Sequence, residues 1–283
     1  MTRFVRLPQI QNIGTGAAVS RATLDLPLGR TYNKIVFFCY GNITRAKLSD
    51  VTLKVNNAIK QRWKTSDHLQ ARNSYLGNAS DAAIMELDFV HKNGKDESAM
   101  TMGTYALTQE AGVQSATVEF DIATFTPSGT STIVAYAEVD VPSENTLIVR
   151  NRHQQKTLSG ATTEQIIVPF GINGEQLMRM YIFGTLASID YLGIRRDDSE
   201  EYQDVDVLKN EFLQKTYGKV PQAGLMVVDF MVHNLVGHSL NTAVVKGPGG
   251  AAKPVANLDI RLQVNAGGTF DIYTEALVLN SKP

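Results

Sequence analysis

The chain has 283 residues, 43% hydrophobic and 19% charged, so it is apolar enough to bury a core and is not a disordered charged tail. Its 27 basic and 28 acidic side chains leave a formal charge of −1, which excludes the basic excess expected of a protein built mainly to bind nucleic acid. The single cysteine, Cys39, rules out an intrachain disulfide framework and a thiolate-rich zinc centre. Half the length falls near the usual size of one domain, which predicts two domains, with one large sandwich or barrel as the alternative.

The first residues, Met1 to Pro8, carry charges but no apolar signal core, and no run approaches the ~18 apolar residues of a membrane helix. A soluble intracellular chain is therefore expected. Residues 35–39 form a continuous apolar run, the pattern of a strand buried on both faces, and place Cys39 as an inert core thiol. Val51, Leu53 and Val55 alternate with polar residues. So do Val118, Phe120 and Ile122, and later Leu258, Ile260, Leu262 and Val264. This period of two belongs to strands with one oily face and one wet face. Two helices are predicted. One runs from about Ser66 to Gly77. The other is capped by Asp204 or Asp206, places Val205, Leu208 and Phe212 on one apolar face, and ends at Gly218. Strands and helices do not alternate, so a doubly wound parallel sheet is not expected.

The chain also repeats itself. Leu26-Pro27-Leu28-Gly29 matches Val168-Pro169-Phe170-Gly171 at an offset of 142 residues, and Tyr40-Gly41 matches Phe183-Gly184 at 143. Met85 to Phe89 matches Met226 to Phe230 at 141, as does Gly77 with Gly218. Phe4-Val5-Arg6 resembles Ile148-Val149-Arg150 at 144. Order and near-constant spacing carry the weight. Each half reads as a Pro-Gly corner, a strand pair, a helix, a strand ending Asp-Phe, and a long loop (about 90–115 and 231–257). A strand hairpin near Gly129 or Gly267-Gly268 closes it. An antiparallel domain of ~140 residues with this content is most simply an eight-stranded jelly roll. The expected fold is all-β with two short helices, a tandem double jelly roll with domains 1–142 and 143–283.

Catalytic patterns are missing. His68, His91, His153, His233 and His238 form no H-x-H pair and read as surface or loop histidines. The stretch Gly247-Pro248-Gly249-Gly250 fails the phosphate-loop spacing and reads as a surface loop. Trp63 reads as core or interface packing. Two charge clusters stand out. The acids Asp197, Asp198, Glu200, Glu201, Asp204 and Asp206 read as a solvated loop leading into a helix N-terminus. The first four are also candidate calcium ligands, although they do not follow an EF-hand spacing. Arg3, Arg6 and Arg21 form a basic arm with no acid before Asp25, and Arg150, Arg152 and Lys156 open the second half in the same way. Both groups fit either inter-subunit pairing or a basic rim facing anionic lipid head groups.

The whole chain resembles the major capsid proteins of tailless, icosahedral double-stranded DNA phages with an internal membrane, most closely the corticovirus-like and autolykivirus-like ones. The resemblance rests on Arg3-Phe4, on Leu26 to Tyr32, and on Phe120-Asp121-Ile122. In the second half it rests on Arg150-Asn151-Arg152, Gly160 to Glu164, Gln214 to Lys219, and Val228 to Met231. It implies two upright barrels per subunit, homotrimeric pseudo-hexameric capsomers, and lattice contacts with neighbouring copies. Minor capsid and vertex proteins and the viral membrane face are the other implied partners; sequence-specific nucleic acid is not among them. The implied place is the virion capsid, assembled in the host cytoplasm, with no enzymatic role and no required cofactor. The alternative is a tandem β-sandwich ligand-binding module or a bicupin-like enzyme.

Overall fold

A computed structural model describes residues 3–279 apart from 92, 96–101, 144–146 and 247–250. The chain divides into two compact units, Met1–Asn151 with Val278–Pro283, and Arg152–Leu277.

In the first unit, β1 (Arg3–Arg6), β2 (Ser20–Asp25), β3 (Arg30–Tyr40), β4 (Leu48–Val55) and β5 (Ala58–Thr65) precede α1 (Ser66–Tyr75). Then follow β6 (Ile84–Asp88), β7 (Ala116–Ile122) and β8 (Thr132–Asp140). They build two antiparallel sheets with strand orders β1-β8-β3-β6 and β2-β7-β4-β5. A short strand, Tyr105–Leu107, adds to β3 beside β6. The alternating residues dictate which face is inside: Ile35 and Phe37 of β3 and Val118, Phe120 and Ile122 of β7 are fully buried. Phe37 meets Phe120 edge to face at 5.4 Å, joining one sheet to the other.

The second unit holds β9 (Leu147–Leu158), β10 (Thr162–Gln165), β11 (Gln176–Phe183), β12 (Ile189–Arg196) and β13 (Ser199–Val205). After them come α2 (Val207–Thr216), β14 (Leu225–Asp229), β15 (Leu258–Val264) and β16 (Gly268–Leu279). Its sheets run β9-β16-β11-β14 and β10-β15-β12-β13. Adding eight to every strand of the first unit reproduces this order, so the duplication read from the sequence is a duplication of topology. The core again forms where alternating apolar residues of the two sheets meet, with Met180, Ile182, Leu192, Ile194, Ile260 and Ile272 fully buried. The first residues of β9 belong to the first unit. There Val149 O accepts from Gln61 Nε2 at 3.3 Å, and Asn151 Oδ1 accepts from Arg62 N at 2.6 Å.

Two details depart from expectation. The strands flanking Gly129, β7 and β8, lie in opposite sheets, and so do β15 and β16 around Gly267-Gly268; neither pair is a hairpin. Hairpins with two-residue turns are instead β4–β5, turning at Asn56-Asn57, and β12–β13, turning at Asp197-Asp198. Asn56 and Asn57 both take positive φ, 51° and 62°, as a two-residue turn matched to strand twist requires. The second departure concerns α2. Asp206 caps it, accepting from Lys209 N at 2.7 Å, as Thr65 caps α1 from His68 N at 3.1 Å. Its apolar residues, however, face outward: Leu208 is 78% and Phe212 74% exposed, while Asn210 and Gln214 are buried. The buried amides have a partner that explains the inversion. Both donate to Val227 O on the edge strand β14, Asn210 Nδ2 at 2.6 Å.

Candidate functional site

The first charge cluster is held on the outer face of the sheet β2-β7-β4-β5. Arg21 of β2 reaches Asp50 at 2.7 Å, Asp121 at 2.9 Å and Glu119 at 3.2 Å. Lys54 meets Glu119 at 2.6 Å, and Arg62 meets Asp50 at 2.6 Å. Burial alone would lower the Arg21 pKa and raise that of Asp50. Hydrogen bonds that Arg21 donates to Asp121, Asp50 and Glu119 outweigh burial for the guanidinium and hold it above its ordinary value. Those from Arg62 and Arg21 likewise hold Asp50 below the usual carboxylate range. The Lys54 hydrogen bond does the same for Glu119, against burial and with help from Arg21. Arg21 thus rivets its own sheet and is separated from the arm assigned to it in the sequence.

Arg3 and Arg6 lie on the edge strand β1 and are both exposed. They pair with Val139 and Tyr136 of β8, three residues apart, and so point to opposite faces of the strand. Between them Phe4, 56% exposed, stacks on Tyr136 with ring centroids 5.1 Å apart. Of the second basic group, Arg152 and Lys156 are committed inside the second unit: Arg152 grips Glu175 through both terminal nitrogens, one at 2.6 Å, and Lys156 meets Glu164 at 2.5 Å.

The acidic cluster is dispersed among separate partners. Asp197 Oδ1 accepts from Ala256 N and Asn257 N, each at 2.8 Å. Glu200 faces Arg195 at 3.9 Å, Glu201 meets Arg196 at 2.6 Å, and Asp206 is the cap of α2. Asp198 is exposed in the hairpin turn. The four calcium candidates Asp197, Asp198, Glu200 and Glu201 therefore do not converge: among the described residues, no three His, Cys, Asp or Glu side chains form a group able to hold a metal ion. Adjacent residues in a strand alternate sides, which is why a dense run of acids does not become a dense site.

His153 of β9 is a strand residue, contacting Asp271 at 2.8 Å and stacking on Tyr273, and so differs from the surface-or-loop reading; His68 lies on α1, and His91 lies in the loop after β6 but is buried. His233 and His238 lie together after β14, ring centroids 5.2 Å apart, with Tyr217 against His233. Trp63 and Cys39 are buried as expected, and burial pushes the Cys39 thiol up to about 12. Gly247 to Gly250 lie outside the described residues.

Sequence reasoning missed a buried charged centre in the second unit. Arg179 contacts Asp229 at 3.1 Å and Glu275 at 3.4 Å, and Tyr181 donates to Glu275 at 3.0 Å. Lys219 stands 3.9 Å from Asp229 and donates to Asn234 Oδ1 at 2.5 Å. Burial and the Arg179 charge push the Lys219 ammonium down to about 8, against the pull of Asp229. One signal was available: the acid ending the repeated strand motif, Asp88 and Asp229, accepts a backbone N–H two residues on in both units.

What the geometry assembles is framework: rivets, caps and clamps that fix two copies of one barrel. Residues 4–140 match the profile of the viral coat protein P2 N-terminal domain, and residues 148–279 that of the viral coat protein P2 C-terminal domain. The chain belongs to the viral coat protein P2 family. No curated protein sequence matches it. Among solved structures, the major capsid protein P2 from Bacteriophage PM2 superposes with a TM-score of 0.83 at 19% identity, covering 100% of this chain and 99% of that one. The STIV MCP follows at 0.64 and 11% identity, covering 99% and 97%. The PBCV-1 virus capsid matches at 0.58 and 10%, covering 98% and 93%. This P2 family member is a viral coat protein with the double jelly-roll fold of icosahedral capsids, and its role is structural.

Proposed function

We propose that this coat protein is the major capsid protein of an icosahedral virion and forms homotrimeric capsomers over an internal lipid membrane. The observation that carries the reading is one strand order written twice in one chain. Three such subunits present six similar barrels, so a three-fold trimer approximates six-fold symmetry and tiles a facet. The two copies differ in their outer side chains, which lets neighbouring contacts differ. Two features suit dense self-assembly. A net charge of −1 spares repeated contacts long-range repulsion. The edge strands β6 and β14 are each locked by helix amides, which limits unprogrammed strand addition.

The long loops after β6 and β14 are the candidate outward projections or trimer clasps. Minor capsid and vertex proteins are the further partners in this reading, Arg3 and Arg6 are the residues offered to lipid, and assembly takes place in the host cytoplasm. Light scattering on the purified chain, followed by electron microscopy, tests it. The expected particle has three times the 31.0 kDa chain mass, or is a shell built from such trimers. A monomer at all concentrations sinks the proposal.

A further inference from the structure

The two units carry the same fold, so positions where they differ on the outside mark what each surface does. Two such differences are complementary. The outward stripe of α2 is apolar, Leu208 and Phe212, whereas the positions 141 residues earlier in α1 are Asp67 and Ala71. On the sheet β1-β8-β3-β6, the outward positions Val36, Phe38 and Tyr136 are apolar or aromatic, and with Phe4 and Ile84 they form a patch. Phe4 and Phe38 flank Tyr136 at 5.1 and 5.7 Å. The matching positions of the second unit are Arg179, Tyr181 and Glu275, charged or polar and almost completely buried. Each unit therefore keeps one apolar surface that its twin lacks: the helix stripe on the second, the aromatic sheet face on the first.

The geometry points to these two surfaces docking on each other between copies: the Leu208–Phe212 face of one subunit's α2 seats on the Phe4–Phe38 patch of the next. This deepens the homotrimer reading and rests on it. Such a contact joins different surfaces, so it runs head to tail and closes into a ring when the rotation is three-fold. Size agrees. Phe4, Val36, Phe38 and Ile84 bound a shallow cavity of about 250 Å³, larger than the ~150 Å³ apolar cavity that accepts benzene, so the Phe212 ring fits. Charge agrees as well. Exposed Lys209 and Lys215 extend from the helix beside their own partners Asp206 and Glu211, and the acids Asp81, Glu86 and Glu138 outnumber Lys34 and Arg6 around the sheet patch. Aromatic side chains such as the exposed Phe212 are enriched in the buried core of protein interfaces.

The test uses the full chain. Leu208→Asp with Phe212→Asp is expected to raise the concentration at which trimers dissociate roughly thirty-fold or more, the effect of losing one anchor. Circular dichroism should be unchanged, because both side chains are exposed. A second variant, Phe4→Cys with Phe212→Cys, should form inter-chain disulfides on oxidation, giving a ladder that ends at the trimer. The wild-type chain, whose Cys39 is buried, should give none. Trimers that survive the double aspartate substitution, or cysteine-bearing trimers that do not crosslink, overturn the docking and leave the homotrimer standing. A monomeric wild-type chain overturns both.

Discussion

Asn56 and Asp197, 141 positions apart, make the same clamp in the two units. Asn56 Oδ1 accepts from Gln114 N at 2.7 Å and Ser115 N at 3.2 Å, while its own N donates to Ser115 O at 2.8 Å. Asp197 Oδ1 accepts from Ala256 N and Asn257 N, and its N donates to Asn257 O, all at 2.8 Å. Each hairpin turn thus pins the segment that enters β7 or β15. Asn56 adds one bond that a carboxylate has no hydrogen to make, from Nδ2 to Gly112 O at 2.8 Å. Asp197→Asn should therefore hold the clamp, with a melting temperature equal to or above wild type. Asp197→Ala removes both bonds from these exposed backbone donors and should cost about 0.5–1.5 kcal/mol. If the acids serve the backbone and Arg195 and Arg196, a chelator should leave both melting curves unmoved. A chelator-induced drop in wild type that Asp197→Asn abolishes would restore calcium.

The edge strands give a second contrast. Asn73 Nδ2 donates to Glu86 O on β6 at 2.8 Å, whereas Asn210 and Gln214 share Val227 O on β14. Asn73→Ala should cost about 0.5–1.5 kcal/mol, since the part-buried Glu86 carbonyl loses this hydrogen bond. Gln214→Ala should cost less than half as much, because Asn210 still donates. Paired thermal melts measure the ratio; equal losses would mean that the amides act only by packing.

These contacts show where sequence reasoning succeeds and stops. Alternation at Val118-Phe120-Ile122 and the offsets near 141 depend on local pattern, and both were legible as strands and as a repeat. The polarity of α2 was not. Leu208 and Phe212 follow the spacing of a buried face, but Asn210 and Gln214 have an edge carbonyl to satisfy, a tertiary demand with no local signature. The same holds for Arg21, whose carboxylates at Asp50, Glu119 and Asp121 come from other strands of its sheet. The acids from Asp197 to Glu201 are adjacent in sequence yet distributed in space, so density alone misled.

The Arg21 network should make stability depend on acid. Asp50 and Glu119 titrate below their ordinary range in the folded chain. Their contribution is fully present above the unfolded carboxylate pKa of about 4 and is lost as pH falls through the lower folded values. Arg21→Ala removes the shared cation from partly exposed pairs, each worth about 1 kcal/mol or less. The variant should melt below wild type at pH 7, and the gap should close toward pH 3. A gap independent of pH would assign the loss to packing.

Lys219 should act in the opposite direction. Its folded pKa of about 8 lies below the usual 10.5. Below pH 8 both states are protonated and the folded chain bears the full cost of a buried charge. Between pH 8 and about 10.5 the unfolded chain keeps the proton that the folded one has lost, so stability rises with pH. Lys219→Met removes that slope, and melts at pH 7, 8, 9 and 10 compare the two curves. Parallel curves would show that Lys219 does not titrate in this window.

The arm separates lipid contact from simple sheet stability. Arg3 and Arg6 are exposed on opposite faces of β1, whereas Arg21 is bound by three carboxylates. Near an anionic membrane each free basic group is worth about 1 kcal/mol, so Arg3→Glu with Arg6→Glu should weaken vesicle binding roughly thirty-fold or more. Arg21→Glu should lower the melting temperature and leave vesicle binding unchanged, because its charge is already neutralised. Flotation with anionic and with neutral vesicles reads both. Since two faces of one strand cannot both meet a flat bilayer, one of the single substitutions Arg3→Glu and Arg6→Glu should carry most of the loss. Equal losses would place the arm clear of its sheet when it meets lipid, and no loss from either would assign it to neighbouring subunits.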